Sequence, residues 1–266
     1  MYMMKASFLP LISPCCLCGR KCGAERMAGQ IGYCGAGEKA VIYQQFIHCG
    51  EEIELSPAFI VNMSGCNLHC PTCSERIHWT SATRVWCGEA EEYAEKMVPR
   101  LEKANIRSFE WIGGEPSIYF PFVYEATRLM KRLLHKKLPF YLNTNGYYAS
   151  ELTPYLTEMM DGFVFDLKAS RGCAQTIVGP APDYYDIVCD NIKAASQSAC
   201  HLIVRHLVMP GHVDCCTKPC VDWLHQNVPK ARLNLMTTFQ NFNGCDGYPF
   251  ELSEDDMARL KALGLL

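Results

Sequence analysis

From Pro57 onward, short apolar runs rich in β-branched and aromatic residues alternate with longer amphipathic stretches. The apolar runs predict strands at Ala58–Met63, Arg107–Gly113, Pro139–Asn145, Gly162–Lys168, His201–Val208 and Arg232–Phe239. The amphipathic stretches predict helices at Glu89–Lys103, Pro121–Lys136, Glu151–Met160, Tyr184–Ser196 and Lys218–Gln226. Strands that alternate with helices form βαβ units, which build a parallel sheet. The pattern therefore predicts an α/β protein, either a partial (β/α)6 barrel or an open doubly wound sheet.

The stretch before this region, from residue 13 to about residue 50, follows a different pattern. It is rich in glycine and cysteine and shows little apolar periodicity. A segment this small cannot build a core of its own and usually needs a metal to fold. We therefore expect two parts, a Cys-rich metal-binding segment over residues 1–56 and a main domain over residues 57–266.

The composition fits one large domain and gives no sign of a general electrostatic attraction to polyanions. The chain has 266 residues, of which 49% are hydrophobic and 20% are charged. Its formal net charge is -3 and its sequence pI is about 6.2. This charge balance does not attract nucleic acid or an anionic membrane surface. We therefore expect neither nucleic acid nor a membrane among the partners.

Cysteine is the unusual residue, with 17 in the 266 positions. The first residues, MYMMKASFLPLISP, are interrupted by Pro10 and Pro14 and carry one lysine, which argues against a cleaved signal peptide. No apolar run approaches the roughly 18 residues that a membrane helix needs. The thiols are therefore expected to stay reduced in a cytoplasmic protein, as metal ligands or as buried side chains. Their number also suits an oxygen-poor, anaerobic cell.

Three of the cysteines share one short loop directly after the first predicted strand. The sequence GCNLHCPTC places Cys66, Cys70 and Cys73 at the spacing C-x3-C-x2-C, and Gly65 and Pro71 shape the backbone around them. Three thiolates can bind three irons of a [4Fe–4S] cluster and leave the fourth iron without a protein ligand. Catalytic zinc sites likewise keep one position open for chemistry. The loop therefore predicts a cluster with one open iron.

Polar residues also follow the other predicted strands. The sequences GGEPS, NTNG, DLK and RHLVMPG stand at the ends of the second to fifth strands. In barrels and open parallel sheets, the carboxyl ends of the strands meet at one edge, where ligands bind. We therefore expect these loops and the three-thiol loop to surround one site.

The three-thiol loop resembles that of the radical S-adenosylmethionine (SAM) superfamily. The resemblance implies a partial (β/α)6 TIM-like barrel with a Cys-rich N-terminal extension. It also implies that the methionine amine and carboxylate of SAM chelate the open iron, and that the cluster cleaves SAM to a 5′-deoxyadenosyl radical. One position departs from the superfamily pattern, because Thr72 stands where an aromatic residue is usual.

The resemblance extends to the residues expected around SAM. Gly113, Gly114 and Glu115 resemble the superfamily's Gly-Gly-Glu-Pro motif, in which the backbone approaches the methionine amine and the glutamate can accept a hydrogen bond from it. Asn145 is similar to a polar residue at the third strand's end that reaches toward the cofactor. Arg205, on the fifth strand, suits a carboxylate or the ribose and methionine groups. These five residues are the predicted SAM-binding set.

Asp166 and Lys168 resemble the Asp-x-Lys of glycyl-radical-enzyme activases. In that group the two residues face SAM and the peptide substrate. We therefore expect them to be the catalytic residues. The alternative is an ordinary strand end with a surface ion pair.

The N-terminal segment holds a second candidate metal site. Cys15, Cys18, Cys22 and Cys34 are spaced C-x2-C-x3-C-x11-C, which suits structural zinc or a fully ligated iron–sulfur cluster. The pattern C-x-L-C-x-R-x-C-G followed by G-Y-C-G resembles the pyruvate formate-lyase-activating-enzyme-like group. The sequence CSERIHW departs from that group, which commonly has Cys-Gln-Asn at the third thiol.

The sequence leaves three candidate functions, two of them enzymatic and one not. The first is a radical SAM enzyme that abstracts hydrogen from a protein or peptide, as a glycyl-radical activase does, with a reducing partner such as flavodoxin or ferredoxin. The second is a radical SAM enzyme that acts on a small molecule or modifies a peptide, with His78, Trp79 and Arg84 lining its pocket. The third is a metal-binding or redox-sensing protein without catalysis. Three further cysteines are candidate metal or substrate contacts, with buried thiols as the alternative: Cys215, Cys216 and Cys220.

Overall fold

A computed structural model describes residues 8–50, 52–80 and 84–266. Its strands form one sheet in the order β3-β1-β2-β4-β5-β6-β7-β8. The strands are β1 Ala40–His48, β2 Ala58–Met63, β3 Trp86–Gly88, β4 Ser108–Gly113, β5 Phe140–Thr144, β6 Gly162–Asp166, β7 His201–Leu207 and β8 Arg232–Met236. The α-helices are α1 Ala90–Lys103, α2 Phe120–Leu133, α3 Thr153–Met159, α4 Ala174–Ile177, α5 Tyr184–Ser196, α6 Lys218–Asn227 and α7 Glu254–Ala262.

The parallel part of the sheet confirms the predicted partial barrel. Strands β2, β4, β5, β6, β7 and β8 pair in parallel, each with the next one along the chain. In a doubly wound sheet the strand order reverses at a switch point, where ligands bind. No such reversal occurs among these six strands, so the open doubly wound alternative is excluded. Successive βαβ units that turn in one direction wind the sheet into a barrel.

Alternating side chains of the strands divide the core into an outer and an inner layer. Phe109 and Trp111 of β4 face the helices, and the Trp111 indole N–H donates to the Thr127 hydroxyl of α2 at 2.8 Å. The residue between them, Glu110, faces a cavity of about 280 Å³ inside the barrel. A period of two is what a strand requires. A small apolar cluster of Leu55, Tyr141, Val164 and Ile203 fills another part of the core.

Several strand ends differ from the prediction. β5 ends at Thr144 and β6 at Asp166, so Asn145 and Lys168 lie in the loops that follow. These residues do not continue the strands because their backbone amides donate to side chains instead of to a neighbouring strand. The amide of Asn145 donates to the Glu115 carboxylate at 2.8 Å, and the amide of Lys168 donates to the Tyr184 hydroxyl at 2.9 Å.

Strands β1 and β3 and helix α7 were not predicted from the sequence. β1 lies in the Cys-rich segment and pairs antiparallel with both β2 and β3. The sheet therefore runs across the predicted boundary between residues 56 and 57. Helix α7 begins at a capping box in which the Ser253 hydroxyl accepts from the Asp256 amide at 3.1 Å. Among the described residues, no helix is long and apolar enough to cross a membrane.

Candidate active site

The loop after β2, which carries the three thiols, is hydrogen-bonded to the loop after β4. The amide of Gly114 donates to the Met63 carbonyl, and the amide of Glu115 donates to the Gly65 carbonyl, both at 2.9 Å. A Cβ atom on Gly114 would lie 1.9 Å from the Gly65 oxygen, and Gly113 has a φ of 122°. Only glycine permits this backbone conformation and this approach. The two glycines therefore let the end of β4 pack in direct backbone contact with the three-thiol loop, and this backbone is called the glycine shelf below.

Glu115 joins this shelf to the loop after β5. Its side chain is fully buried, and its carboxylate accepts from the Ser117 amide at 3.0 Å, the Thr144 hydroxyl at 2.7 Å and the Asn145 amide at 2.8 Å. Burial raises the pKa of Glu115 in spite of these donors. Both carboxylate oxygens already have partners within the chain. The structure therefore gives Glu115 a loop-joining role, and direct contact with the methionine amine stays a prediction.

Asn145 lies against the first of the three thiols. Its side-chain amide donates to the side-chain oxygen Oδ1 of Asn67 at 2.8 Å and lies 3.7 Å from the Cys66 sulfur. Its own side-chain oxygen accepts from the Tyr147 amide at 2.9 Å, which fixes the orientation of the amide. Hydrogen bonds to ligand sulfur tune the potential of an iron–sulfur cluster. Asn145 was predicted to reach SAM, and the structure places its amide beside the sulfur of Cys66, a predicted metal ligand.

The three thiols form one electrostatic group. Burial raises the pKa of Cys66, and the neighbouring Cys70, Glu115 and Cys73 raise it further. Burial raises the pKa of Cys70 to about 11, which the Lys168 cation opposes. Thiols that resist deprotonation in a shared site are stabilised as thiolates by a bound metal. Three cysteines beside the glycine shelf fit a [4Fe–4S] cluster that has one iron free.

Asp166 and Lys168 form an ion pair beside these thiols. The Lys168 Nζ lies 2.7 Å from an Asp166 carboxylate oxygen, and the two side chains are 33% and 27% exposed. Burial acts to raise the pKa of Asp166, but the charges of Lys168 and Arg205 outweigh it and lower this pKa. The Lys168 pKa is raised, because Asp166 and the thiols of Cys70 and Cys73 outweigh burial. The structure thus brings the predicted catalytic pair to the three-thiol loop.

Arg205 is paired inside the barrel. Its guanidinium binds the carboxylate of Glu52, with Nε 2.7 Å from Oε1 and NH2 against Oε2. The Asn234 amide donates to the same carboxylate at 2.9 Å. Arg205 and Glu52 line the 280 Å³ cavity together with Gly113. The sequence missed Glu52, since nothing local marks a partner that lies 153 positions from Arg205.

The four predicted N-terminal ligands also come together. Cys15, Cys18 and Cys34 are buried, Cys22 is exposed, and all four line one small cavity. Asn67 and Arg26 line the same cavity. Burial raises the pKa of Cys18 to about 11, with Cys34 and Cys15 adding to the effect. A set of four thiols fits both structural zinc and a fully ligated cluster.

The structure describes only part of the small-molecule pocket predicted from His78, Trp79 and Arg84. His78 stacks on Tyr43 with ring centroids 3.8 Å apart, and its carbonyl accepts from the Gly65 amide at 3.0 Å. Arg84 is exposed, and the side chain of Trp79 lies outside the described part of the chain. Cys215, Cys216 and Cys220 lie beside residues that the sequence did not indicate. Cys173 lies beside Cys215, and His206 lies beside Cys216 and Cys220.

Comparison with known proteins identifies the class. A family model described as the Radical SAM superfamily matches residues 60–224, which is more than half of the chain. The chain therefore belongs to the radical SAM superfamily, whose members are enzymes. An uncharacterized protein of Methanocaldococcus jannaschii is 24% identical over 239 residues, which cover 88% of this chain and 68% of that protein.

Two solved structures share the fold. Streptococcus suis SuiB bound to S-adenosylmethionine aligns with a TM-score of 0.56 and 15% identity, over 75% of this chain and 44% of SuiB. The radical SAM enzyme coproporphyrinogen III oxidase (HemN) of Escherichia coli aligns with a TM-score of 0.53 and 9% identity, over 84% of this chain and 57% of HemN. The chain thus spans about half the length of these proteins.

Proposed function

We propose that this chain binds a [4Fe–4S] cluster through Cys66, Cys70 and Cys73 and cleaves SAM to abstract hydrogen from a protein or peptide substrate. These three cysteines would hold the cluster, and its chemistry would be the supply of one electron for cleavage of the S–C5′ bond of SAM, which gives methionine and a 5′-deoxyadenosyl radical able to take one hydrogen atom from the substrate. The electron would come from a reducing partner such as flavodoxin or ferredoxin.

The observation that carries this proposal is the contact between the glycine shelf and the three-thiol loop. The backbone of Gly113 and Gly114 lies against Met63 and Gly65, directly before the first thiol. The two glycines are half-buried, and a ligand on the open iron would lie beside their backbone. Close approach without side chains is the use of paired glycines. A metal-storage or sensing site has no need for such a shelf.

The Asp166–Lys168 pair supports hydrogen abstraction from a peptide, as in an activase. The two charges lie next to Cys70 at the ends of the strands, where a substrate would enter. The Lys168 cation beside the thiols favours their anionic form and so the bound cluster. Partial exposure of both side chains leaves them able to contact a substrate. SuiB, which shares the fold, has been solved bound to its precursor peptide SuiA.

A second candidate function is the same radical chemistry on a small molecule. The cavity inside the barrel supports it, because Glu110, Asn143 and Arg205 line that cavity with polar groups. Small-molecule sites commonly combine an enclosed cavity with a few polar groups. A small-molecule enzyme would leave a stoichiometric product, whereas an activase would leave a lasting glycyl radical on its partner. Electron paramagnetic resonance of the reacted mixture separates the two.

For the N-terminal cysteines we propose an auxiliary iron–sulfur cluster held by Cys15, Cys18, Cys22 and Cys34. The amide of Cys66 donates to the Cys34 carbonyl at 3.0 Å, so the two cysteine sites are in direct contact through the backbone. A redox cluster so close could exchange electrons with the first one, whereas zinc would only hold the segment in place. Iron and sulfide counts after reconstitution separate the two. About four extra irons per chain support a cluster, and one zinc contradicts it.

The decisive assay is anaerobic reconstitution, followed by dithionite, SAM and detection of 5′-deoxyadenosine. The test variant replaces Cys66, Cys70 and Cys73 by alanine. The matched control removes three other thiols, Cys49, Cys87 and Cys200, none of which lines either proposed iron site. We expect the wild type and the control to form 5′-deoxyadenosine and the test variant to form none. An iron-loaded wild type that neither binds nor cleaves SAM would support the sensing function instead.

A further inference from the structure

A third group of metal-binding side chains lies outside both predicted iron sites. The loop after β6 carries Cys173, and the turn after β7 carries His212 and Cys215. The sulfurs of Cys173 and Cys215 are 3.3 Å apart. The His212 Nδ1 lies 3.3 Å from the Cys215 sulfur and 3.8 Å from the Cys173 sulfur. Three potential ligands thus stand in mutual contact, although their residues come from two separate loops.

These separations match those of a tetrahedral zinc site. Zinc binds cysteine sulfur at about 2.3 Å and histidine nitrogen at about 2.0–2.1 Å. In a tetrahedron these bond lengths place two sulfurs about 3.8 Å apart, and a sulfur and a nitrogen about 3.6 Å apart. The three observed separations of 3.3, 3.3 and 3.8 Å lie close to these values. A small outward movement of the side chains would accept the ion.

Hydrogen bonds hold the two loops together around this group. The Ser170 hydroxyl donates to the Cys215 carbonyl at 2.8 Å, and the Ser170 amide donates to the Cys216 sulfur at 3.3 Å. The Cys173 thiol also points to the Cys215 carbonyl at 3.4 Å. Metal sites depend on such supporting contacts to hold their ligands in place. The arrangement is therefore set by the fold rather than by a chance approach of two thiols.

We propose that Cys173, His212 and Cys215 bind Zn²⁺ and leave its fourth position open. Cys173 is buried, His212 is half-buried and Cys215 is exposed, so the open position faces the solvent side. Three protein ligands with one vacant position are typical of catalytic rather than structural zinc. The vacant position would take water or an anionic group of a substrate. This proposal is independent of the SAM chemistry.

The location favours a role at the substrate entrance. Both loops follow the carboxyl ends of parallel strands, the same edge that carries Asp166 and the three thiols. The ring of Tyr248 lies 6.3 Å from the His212 ring, and its hydroxyl is buried without a hydrogen-bond partner among the described residues. The thiols of both Cys173 and Cys70 add to burial in raising the Tyr248 pKa. Tyr248 thus places an unpartnered hydroxyl near the proposed zinc site.

The neighbouring group of His206, Cys216 and Cys220 is not proposed as a site. Its three side chains are fully buried, and both ring nitrogens of His206 have partners in the chain. The His206 Nδ1 lies 2.7 Å from the Leu167 carbonyl, and Nε2 lies 3.1 Å from the Thr217 hydroxyl. A metal would have to displace the Thr217 contact in a place that solvent does not reach. This group forms the wall behind the proposed zinc site.

The first test uses the unaltered full chain and Zn²⁺ alone. The anaerobically purified protein is treated with a chelator and then exposed to iodoacetamide with or without Zn²⁺, and each cysteine is read by mass spectrometry. We expect Zn²⁺ to slow alkylation of Cys215 at least tenfold. Cys49 and Cys87, which are also exposed, serve as internal controls and should react at the same rate in both samples. Equal alkylation of Cys215 with and without Zn²⁺ would overturn the proposal.

The second test counts metal. The Cys173→Ser/Cys215→Ser variant should lose one equivalent of zinc per chain, and the corresponding thiolate-to-cobalt absorption should disappear after Co²⁺ substitution. The Cys200→Ser variant, which removes a half-buried thiol elsewhere, should keep both signals. Quadruple replacement of Cys15, Cys18, Cys22 and Cys34 should also keep them, which separates this site from the N-terminal one. A Cys173–Cys215 disulfide in the anaerobically purified chain, in place of zinc, would contradict the proposal.

Discussion

The amide of Cys66 donates a hydrogen bond of 3.0 Å to the carbonyl oxygen of Cys34. The first residue belongs to the three-thiol loop and the second to the N-terminal cysteine group. Gly65 lies at this junction. Its φ is 89°, and a Cβ atom added to it would lie 2.5 Å from the Cys34 oxygen. Asn67 forms a second link, because it lines the N-terminal cavity and also accepts from Asn145. The two cysteine sites are therefore built as one unit.

This junction predicts that Gly65→Ala damages both sites. The new Cβ would strain the backbone and push the two loops apart, and a strained left-handed residue alone costs about 1–3 kcal/mol of unfolding free energy. We expect a lower iron content at both sites and weaker visible absorbance from the bound clusters. Gly172→Ala is the control, since its added Cβ would meet no atom within 4 Å. Full iron loading of Gly65→Ala would show that the junction is dispensable.

Asn145 is expected to tune the cluster potential. Its amide points at the Cys66 sulfur, and a donor at a ligand sulfur stabilises the reduced, more negative cluster. Loss of one hydrogen bond of about 1 kcal/mol corresponds to about 40 mV for one electron. Asn145→Leu should lower the reduction potential by roughly this amount in a titration followed by electron paramagnetic resonance. Asn227→Leu, at the end of α6, should leave the potential unchanged; an unchanged potential in Asn145→Leu would refute the assignment.

Lys168 is expected to support the chemistry through its charge. Lys168→Gln leaves Asp166 without its partner 2.7 Å away and removes a cation from beside Cys70. We expect the rate of 5′-deoxyadenosine formation to fall at least about tenfold, which corresponds to about 1.4 kcal/mol. Lys193→Gln on the exposed side of α5 is the matched control. Equal rates for both variants would return the Asp166–Lys168 pair to an ordinary strand-end ion pair.

The buried ion pair of Arg205 and Glu52 predicts non-additive stabilities. Arg205→Gln leaves the Glu52 carboxylate buried without its charge partner, which typically costs about 3–5 kcal/mol. Adding Glu52→Gln removes the stranded charge and should restore most of the unfolding free energy, measured with urea. SAM affinity of the double variant then reports on Arg205 itself. Restored stability with weaker SAM binding supports the predicted cofactor contact, and unchanged SAM binding contradicts it.

His206 predicts a stability loss at mildly acidic pH. Burial lowers the pKa of His206 from 6.5 to about 4, so the folded chain holds it neutral while the unfolded chain gains a proton. Stability therefore falls as pH drops from about 6.5 toward 4, by about 1.4 kcal/mol per unit, or about 2 kcal/mol by pH 5. His206→Gln should lose this part of the slope in urea unfolding between pH 7 and 5. The exposed His135→Gln variant should keep it, and identical slopes for all three proteins would be the contrary result.

The parallel strands and their helices were predictable because they are local. Each strand from Ala58–Met63 to Arg232–Met236 carries an apolar run long enough to stand out, and each loop after it contains its own glycine or polar residues. The Cys66, Cys70 and Cys73 spacing was likewise visible within nine positions. Such signals need no knowledge of distant residues.

The remaining features depend on contacts between distant parts of the chain. Glu52 meets Arg205 across 153 positions, and Cys173 meets Cys215 across 42. β1 escaped prediction because its apolar run lies in a segment dominated by glycine and cysteine, and its pairing with β2 supplies much of its stability. The loop-joining contacts of Glu115 could not be predicted for a similar reason. Two of its three donors, Thr144 at the end of β5 and Asn145 in the loop that follows, are not placed beside it by the local sequence.

We propose above that the three-thiol loop holds a cluster whose open iron binds SAM. The most direct measurement is the electron paramagnetic resonance spectrum of the reduced, reconstituted chain before and after SAM is added. We predict a change in the g-values of a [4Fe–4S]⁺ signal in the wild type. That responsive signal should be absent from the Cys66/Cys70/Cys73→Ala variant. A wild-type cluster signal that SAM leaves unchanged would show that SAM does not bind this cluster.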